Sequence, residues 1–472
     1  MIWENGSSKI VMLANLVELG KNKCEQYWPN EKQEKINVGT YDIIMQNEKL
    51  YGAYNVRELL LKYKETREQR KVVQFHFTTW PDHGTADAIQ LAIFQHVIDC
   101  KATQNTGPMV VHCSAGIGRT GTYIALDAMT KWIRNHSKVD VYSFVSSMRN
   151  NRMNMIQTVE QYIVLHEAML EAQLMTNSAI KREDYGNVWR NISKSDFPKN
   201  EGRCRKEFQK LRLALSSVDD DSINEALSNQ NKSKNRDEHI IPIRIYRPFL
   251  SSNLVKRSNY INAVVLPSMK ANVGMIATQY PTPDTVQDFY SLIYDHVSPT
   301  IVILEPNEEN VPLLPENKQT SVYGVVNVSY KHGDSGKDFN ERKLELRKKD
   351  DNETKQVDVI ECTSWPWRQS LPSSPFVVLS LIQRLLQTSH GEMQSSYPIT
   401  IVCFNGATEC GLFCSLFDII ESLSDSGEVD ILRHVRQLQI RRPEFISESA
   451  QYEFLYDAVN DHLEQANIYA NV

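Results

Sequence analysis

The sequence predicts an α/β chain built as two tandem copies of one fold, and three observations carry that expectation. At residues 108–111 an apolar run, Pro-Met-Val-Val, leads through His112 into Cys113; a glycine-rich loop follows, and helical apolar spacing resumes over residues 123–132. That order reads as strand, tight loop and helix. The same landmarks then return: Cys403 follows Cys113 by 290 residues, Gln451-Tyr452 follows Gln161-Tyr162 by 290, and Trp365-Pro366 follows Trp80-Pro81 by 285. A repeat this long is a duplicated domain rather than a solenoid unit. Finally, 472 residues exceed what one ordinary core accommodates.

Taken in order, residues 9–18 (KIVMLANLVE) read as a buried strand leading into a turn at Gly20. Residues 37–61 are β-like between polar turns, and residues 72–79 alternate into Trp80-Pro81-Asp82-His83-Gly84. Residues 86–100 and 123–133 have helical spacing, as do 139–148 and 159–172. Residues 176–185 are expected to link a first domain (1–175) to a second (186–472), and the polar stretch 216–235 to be a mobile surface loop. Residues 288–295 bring the second copy to the point where Met1-Ile2-Trp3-Glu4 begins, an offset of 291. About a hundred residues before Leu292 have no counterpart in the first copy, so the first domain is expected to be incomplete at its N-terminus.

Composition narrows the class. Hydrophobic residues at 41% and charged residues at 23% describe a soluble globular chain, and a net charge of −6 argues against nucleic acid as a partner. No apolar run approaches the ~20 residues of a membrane span, and Met1-Ile2-Trp3-Glu4 lacks the basic start of a signal peptide. Eight cysteines without a Cys-x-x-Cys pair fit free thiols in a reducing compartment. Cys403, Cys410 and Cys414 cluster without a His or fourth Cys, which favours buried thiols over a zinc site.

The loop after the first strand carries chemistry. Gly116 and Gly118 let residues 114–118 (Ser114, Ala115, Gly116, Ile117, Gly118) curl so that successive backbone N–H groups point inward and form an anion-binding nest. The following helix adds its positive N-terminal end, and Arg119 a guanidinium fork. A cysteine at the centre of so much positive potential is expected to ionise more readily than a free thiol. The bland alternative is a buried strand cysteine beside a turn.

The flanks decide between them. His112-Cys113-Ser114-Ala115-Gly116-x-Gly118-Arg119-Thr120-Gly121 resembles the signature loop of the protein tyrosine phosphatases at every fixed position, and the tandem arrangement resembles the receptor-type members. Tyr260-Ile261-Asn262-Ala263 leans towards a kappa/mu-like group and Lys232-Ser233-Lys234-Asn235-Arg236 towards the leukocyte common antigen, which leaves the subfamily open. The resemblance implies two domains, each a twisted mixed β-sheet flanked by helices. It implies Cys113 as nucleophile, the loop amides and Arg119 as the phosphate cradle, and Asp82 as the general acid in a mobile loop. Gln157, with Gln161 beside it, would position the hydrolytic water. His112 and Thr120 would tune the thiolate, with a buried strand histidine and a helix-capping threonine as the plainer readings. Glu18 would pair with the loop arginine. No metal or organic cofactor is implied, and peroxide oxidation of the thiolate is a regulatory input. The implied partners are phosphotyrosine-containing proteins and an intramolecular contact between the two domains, with dimerisation open. The implied setting is the cytoplasm, as the intracellular part of a single-pass receptor if the parent chain is longer.

The second copy departs from this pattern at each point: Glu409 for Arg119, Val402 for His112, Phe404-Asn405 for Ser114-Ala115, Trp367 for Asp82 and Ser447 for Gln157. Asp237 follows Lys234-Asn235-Arg236 where active members place a ring-stacking tyrosine. Glu409 is expected to repel a phosphate dianion, which makes this copy a pseudophosphatase domain. A non-enzymatic binding or regulatory module is the rival reading for the whole chain.

Overall fold

Strand β1 (Lys9–Met12) is apolar almost throughout because sheet neighbours flank it on both edges. It is the centre of the first of two compact units, Met1–Thr176 and Asn177–Val472, into which this computed structural model divides. The structure describes all residues except 83, 104–106, 137, 194–201, 216–219, 252–256, 270–273, 307, 310, 317–318, 350, 352, 389–396 and 471–472.

In the first unit, β2 (Lys35–Val38), β3 (Tyr41–Leu50), β4 (Tyr54–Tyr63), β5 (Gln69–Phe77) and β6 (Val110–His112) join β1 in a mixed sheet of order β2-β3-β4-β5-β1-β6. β1 runs parallel to β5 and β6, and the remaining pairs are antiparallel. The strand expected over 9–18 ends at Met12. Val17–Glu18 instead pairs back on Lys21–Asn22, because Leu19 and Gly20 both take positive φ and turn the chain sharply. Four helices follow: α1 (Ala88–Cys100), α2 (Gly118–Ile133), α3 (Val141–Asn151) and α4 (Val159–Leu174). Asp87, Asp140 and Thr158 cap α1, α3 and α4 by accepting first-turn amides. α2 begins five residues before apolar spacing resumes, since Gly-Arg-Thr-Gly carries no periodic signal.

Phe75 and Phe77 of β5 pack with Phe94, Tyr123, Leu126 and Leu165 of the helices in one buried cluster. Met12, Trp28, Met45 and Leu59 form a second cluster. β5 also buries polar groups, each with a partner: Arg57 donates to Gln74 Oε1 at 3.0 Å, Gln74 donates to the Tyr27 hydroxyl at 2.8 Å, and His76 Nε2 lies 3.0 Å from the Ala14 carbonyl.

The second unit opens with helices α5 (Tyr185–Ser193), α6 (Arg203–Ala214) and α7 (Asp220–Leu227). α7 replaces much of the mobile loop expected over 216–235; Ala226 is buried against Ile241 and Tyr260, and residues 216–219 lie outside the described set. Within the expected linker, Ile180–Lys181 pairs with Glu428–Val429 and Ile180 is buried. The sheet comprises β7 (Ala263–Leu266), β8 (Met275–Gln279), β9 (Thr300–Ile303), β10 (Thr320–Tyr323), β11 (Val326–Ser335), β12 (Phe339–Lys348), β13 (Thr354–Cys362) and β14 (Ile399–Cys403), ordered β7-β8-β14-β9-β13-β12-β11-β10. Helices α8 (Val286–Asp295), α9 (Pro375–Thr388), α10 (Thr408–Ser426), α11 (Ile431–Gln439) and α12 (Ser449–Ala470) complete it. A buried Asp418–His434–Ser422 chain ties α10 to α11, with His434 Nδ1 2.6 Å from Asp418 and Nε2 3.1 Å from Ser422 Oγ. It is sealed from solvent and acts as a structural clamp.

The repeat holds at the level of single hydrogen bonds. Leu13 N donates to the His112 carbonyl at 2.9 Å as Leu304 N does to that of Val402, also at 2.9 Å. Arg152 and Arg442, 290 residues apart, both donate to a carbonyl of the loop, Ala115 in the first unit and Gly406, one position further on, in the second. The difference lies at one edge: the first sheet ends at β6, whereas the second continues past β14 into β8 and β7.

Candidate active site

Cys113 stands directly after β6, at the mouth of the loop that enters α2. The loop closes on the sulfur. Gly116 takes φ of 70°, a value costly for residues with a Cβ, and thereby aims its N–H at Cys113 Sγ from 3.3 Å. Thr120 donates its hydroxyl to the same sulfur at 3.1 Å. The N-cap residue of α2, Ile117, makes no side-chain cap, so the first-turn amides remain available to an anion. The buried sulfur thus sits among hydrogen-bond donors.

Arg119 and Asp82 stand at the mouth. Glu18 holds the Arg119 guanidinium in a two-pronged grip at 2.6 and 3.0 Å, and the carbonyls of Leu13 and Pro81 accept from it at 3.1 and 3.2 Å. The pairing of Glu18 with the loop arginine is therefore present in the geometry. Asp82 Oδ1 lies 4.0 Å from Arg119 and 2.9 Å from Lys23 Nζ. Trp80, just before it, is buried and anchors this turn in the core. His83, named with the Trp-Pro-Asp turn, lies outside the described residues.

His112 faces Tyr27, with Nε2 2.8 Å from the hydroxyl. Burial lowers the basicity of His112, only partly countered by its contact with the Cys113 carbonyl, so the ring is neutral near pH 7. Burial also pushes Tyr27 up to about 12. Gln161 is the closer of the two glutamines to the loop: its amide group stands 2.9 Å from where a Cβ on Gly118 would be. It also accepts from the Gln157 backbone N–H at 2.9 Å, while Gln157 itself is exposed. Ser114 and Ala115 are exposed on the loop's outer turn.

Three residues at this centre were given no role from sequence: Lys23 on Asp82, Tyr27 on His112, and Cys24, whose thiol donates to the Cys113 carbonyl at 3.3 Å. All lie in one irregular stretch, Lys23-Cys24-Glu25-Gln26-Tyr27, which has no periodicity to mark it. Its only signal is the concentration of reactive side chains shortly after Glu18.

The corresponding centre of the second unit is filled by its own side chains. Asn405 Oδ1 accepts the N–H groups of Ala407 and Thr408 at 2.9 and 3.0 Å, occupying the nest that an anion would use. Phe404 lies beneath two guanidiniums, Arg236 at 4.8 Å and Arg368 at 4.2 Å from the ring centre, with Trp367 edge-on at 5.4 Å. Arg236 is further tied to Glu309, the residue 291 positions after Glu18, at 2.7 Å. Glu409, expected to repel a phosphate dianion, is buried, and burial and neighbouring Glu305 raise it to about 7. Burial pushes the Cys403 thiol well up. Ser447 is exposed, and Asp237 accepts from the His239 backbone N–H.

Among the described residues no helix is long and apolar enough to cross a membrane. The protein-tyrosine phosphatase family model matches residues 1–171 and 231–461. Similar proteins include receptor-type tyrosine-protein phosphatase U of Gallus gallus, 31% identical over 98% of this chain and 33% of its own length. Receptor-type tyrosine-protein phosphatase C of Homo sapiens is 32% identical over 97% of this chain and 37% of its own, and the human alpha protein 31% identical over 100% and 59%. The chain thus spans between a third and three fifths of these relatives. With matches to one domain in two successive segments and over nearly its whole length, the chain belongs to the protein-tyrosine phosphatase family.

Proposed function

We propose that the first unit hydrolyses phosphotyrosine on proteins through a cysteinyl-phosphate intermediate, and that the second unit is catalytically inactive and regulatory. The observation that carries this reading is the donor set around Cys113 Sγ: the Gly116 amide and the Thr120 hydroxyl, with uncapped α2 amides beside them. The Cys113 thiolate attacks phosphorus in line with the tyrosyl oxygen. The P–O bond breaks, its electron pair leaves with that oxygen, and Asp82 supplies the proton. Water then attacks the cysteinyl phosphate, held by Gln157 and Gln161, and returns a proton to Asp82 as the S–P bond breaks and the thiolate is restored. The loop amides and Arg119 stabilise the equatorial oxygens, with little reorganisation needed because Glu18 already orients the guanidinium.

In the second unit the same nest is satisfied internally by Asn405, and Trp367 stands where an acid is required. Both support a domain that binds no phosphate at this position.

The test is to mix the chain with an aryl phosphate, quench rapidly, and map phosphate adducts by mass spectrometry. An adduct on the peptide containing Cys113, absent in Cys113→Ser, is expected. Turnover that persists in Cys113→Ser would remove the proposal. Absence of both turnover and adduct would leave the binding-module reading, which the ending of the first sheet at β6 favours.

A further inference from the structure

A buried chain of hydrogen bonds runs from the sheet of the first unit to His112. Arg57 on β4 and Gln74 on β5 are cross-strand partners, 6% and 0% exposed. Arg57 donates through Nε to Glu48 at 2.7 Å, and through Nη1 to Gln74 Oε1 at 3.0 Å and His76 Nδ1 at 3.3 Å. Gln74 Nε2 donates to the Tyr27 hydroxyl at 2.8 Å, and that hydroxyl lies 2.8 Å from His112 Nε2. On its other side, His112 Nδ1 lies 3.3 Å from the Cys113 carbonyl.

A guanidinium can only donate, and this sets the direction of every bond along the chain. Gln74 must turn its oxygen to Arg57 and its NH2 to Tyr27, because the reversed amide would set donor against donor. The Tyr27 oxygen accepts from Gln74, so its own proton goes to His112 Nε2; the Met12 sulfur, 3.9 Å away, is a weak acceptor. His112 Nε2 therefore carries no hydrogen, and Nδ1–H donates to the Cys113 carbonyl.

The second unit has lost this chain as a block. Arg342 pairs across strands with Val359 as Arg57 does with Gln74. Leu313 stands two residues before Pro315 as Tyr27 does before Pro29, and Val402 precedes Cys403 as His112 precedes Cys113. Leu313, Val359 and Val402 pack in one buried apolar cluster, while Arg342 keeps a carboxylate partner, Glu361, at 3.1 Å. The polar chain thus accompanies the cysteine that accepts from Gly116 and Thr120.

We propose that Gln74, held by Arg57, is a positioning residue for the phosphotyrosine hydrolysis on which this role rests: through Tyr27 it locks His112 as the Nδ1–H tautomer. That lock keeps the Cys113 carbonyl bonded and holds in place the peptide that enters the loop.

The test uses the full chain with isotope-labelled histidine and long-range proton–nitrogen spectra, the His112 signals being identified by their loss in His112→Asn. In the unsubstituted chain Nε2 should show the unprotonated shift and Nδ1 the protonated one. Gln74→Glu keeps the size of the side chain and an acceptor for Arg57, but its second oxygen takes the Tyr27 proton, so His112 Nε2 should become protonated. Alkylation of Cys113 by iodoacetamide should then slow about threefold or more. In a Tyr27→Phe background the same substitution should leave His112 unchanged, because the link is gone. A thermal melt accompanies each variant, and the spectrum of the unsubstituted chain is decisive by itself if a variant does not fold. The proposal is overturned by a proton on Nε2 in the unsubstituted chain, by an unchanged His112 in folded Gln74→Glu, or by an equal change in the Tyr27→Phe background. Alkylation at the unsubstituted rate after His112 has switched would overturn it too. The expected His112 signals in a chain without turnover would count against the hydrolase reading and not against the lock on His112.

Discussion

At the scale of single residues, the two units differ in which groups satisfy the loop amides. In the first unit Gly116 N points to Cys113 Sγ; in the second, Asn405 Oδ1 accepts the N–H groups of Ala407 and Thr408. The proposed role of Asp82 as general acid can be tested alone. Asp82→Ala should cut turnover of an aryl phosphate by ~10²-fold while binding persists, a kcat effect measured by steady-state kinetics. Glu409 offers a pH test. Its folded value of about 7 lies above the ordinary 4.5, first because of burial and then because of Glu305, and among the described residues its Oε2 has no hydrogen-bond partner. The folded unit therefore holds a proton that the unfolded chain releases near 4.5, and that stabilisation is lost as pH rises through about 7. Glu409→Gln should raise the melting temperature of the second unit more at about pH 8.5 than at about pH 5. An equal gain at both would mean the carboxyl is not held neutral.

At the scale of elements, what is legible in the sequence is what has a period or a cap. The strand into Cys113, the helices over 86–100 and 159–172, and the β-like stretch over 37–61 follow apolar spacing and turn residues, and the structure forms them within a few residues. The Lys23–Tyr27 contacts are not legible because irregular backbone brings them to the loop. Nor is the plug of Asn405 and Phe404, since residue types show a lost arginine but not which side chain replaces the missing anion. α7 is hidden for another reason: its polar sequence, Asp-Asp-Ser-Ile-Asn-Glu-Ala-Leu, buries only Ala226. Capping gives an element-level prediction. Asp87→Ala removes the acceptor for the Ile89 and Gln90 amides of α1 and should cost ~1 kcal/mol by denaturant titration, with turnover unchanged. Among the described residues β6 has a sheet partner on one edge only, whereas β14 is paired on both, and an unpaired edge is an aggregation route.

At the scale of the whole molecule, one fold is used twice with different side chains at its centre. Landmarks 285 to 291 residues apart make the duplication legible in the sequence, and paired contacts such as Trp3–Arg70 and Tyr294–Lys355 place the copies in register. The central claim is that all chemistry belongs to the first copy. The most direct measurement is turnover of a phosphotyrosine peptide by the full chain, by Cys113→Ser and by Cys403→Ser, side by side. The account predicts that Cys113→Ser abolishes turnover and that Cys403→Ser leaves it at the parent level. Turnover surviving in Cys113→Ser, or lost in a folded Cys403→Ser, would contradict it.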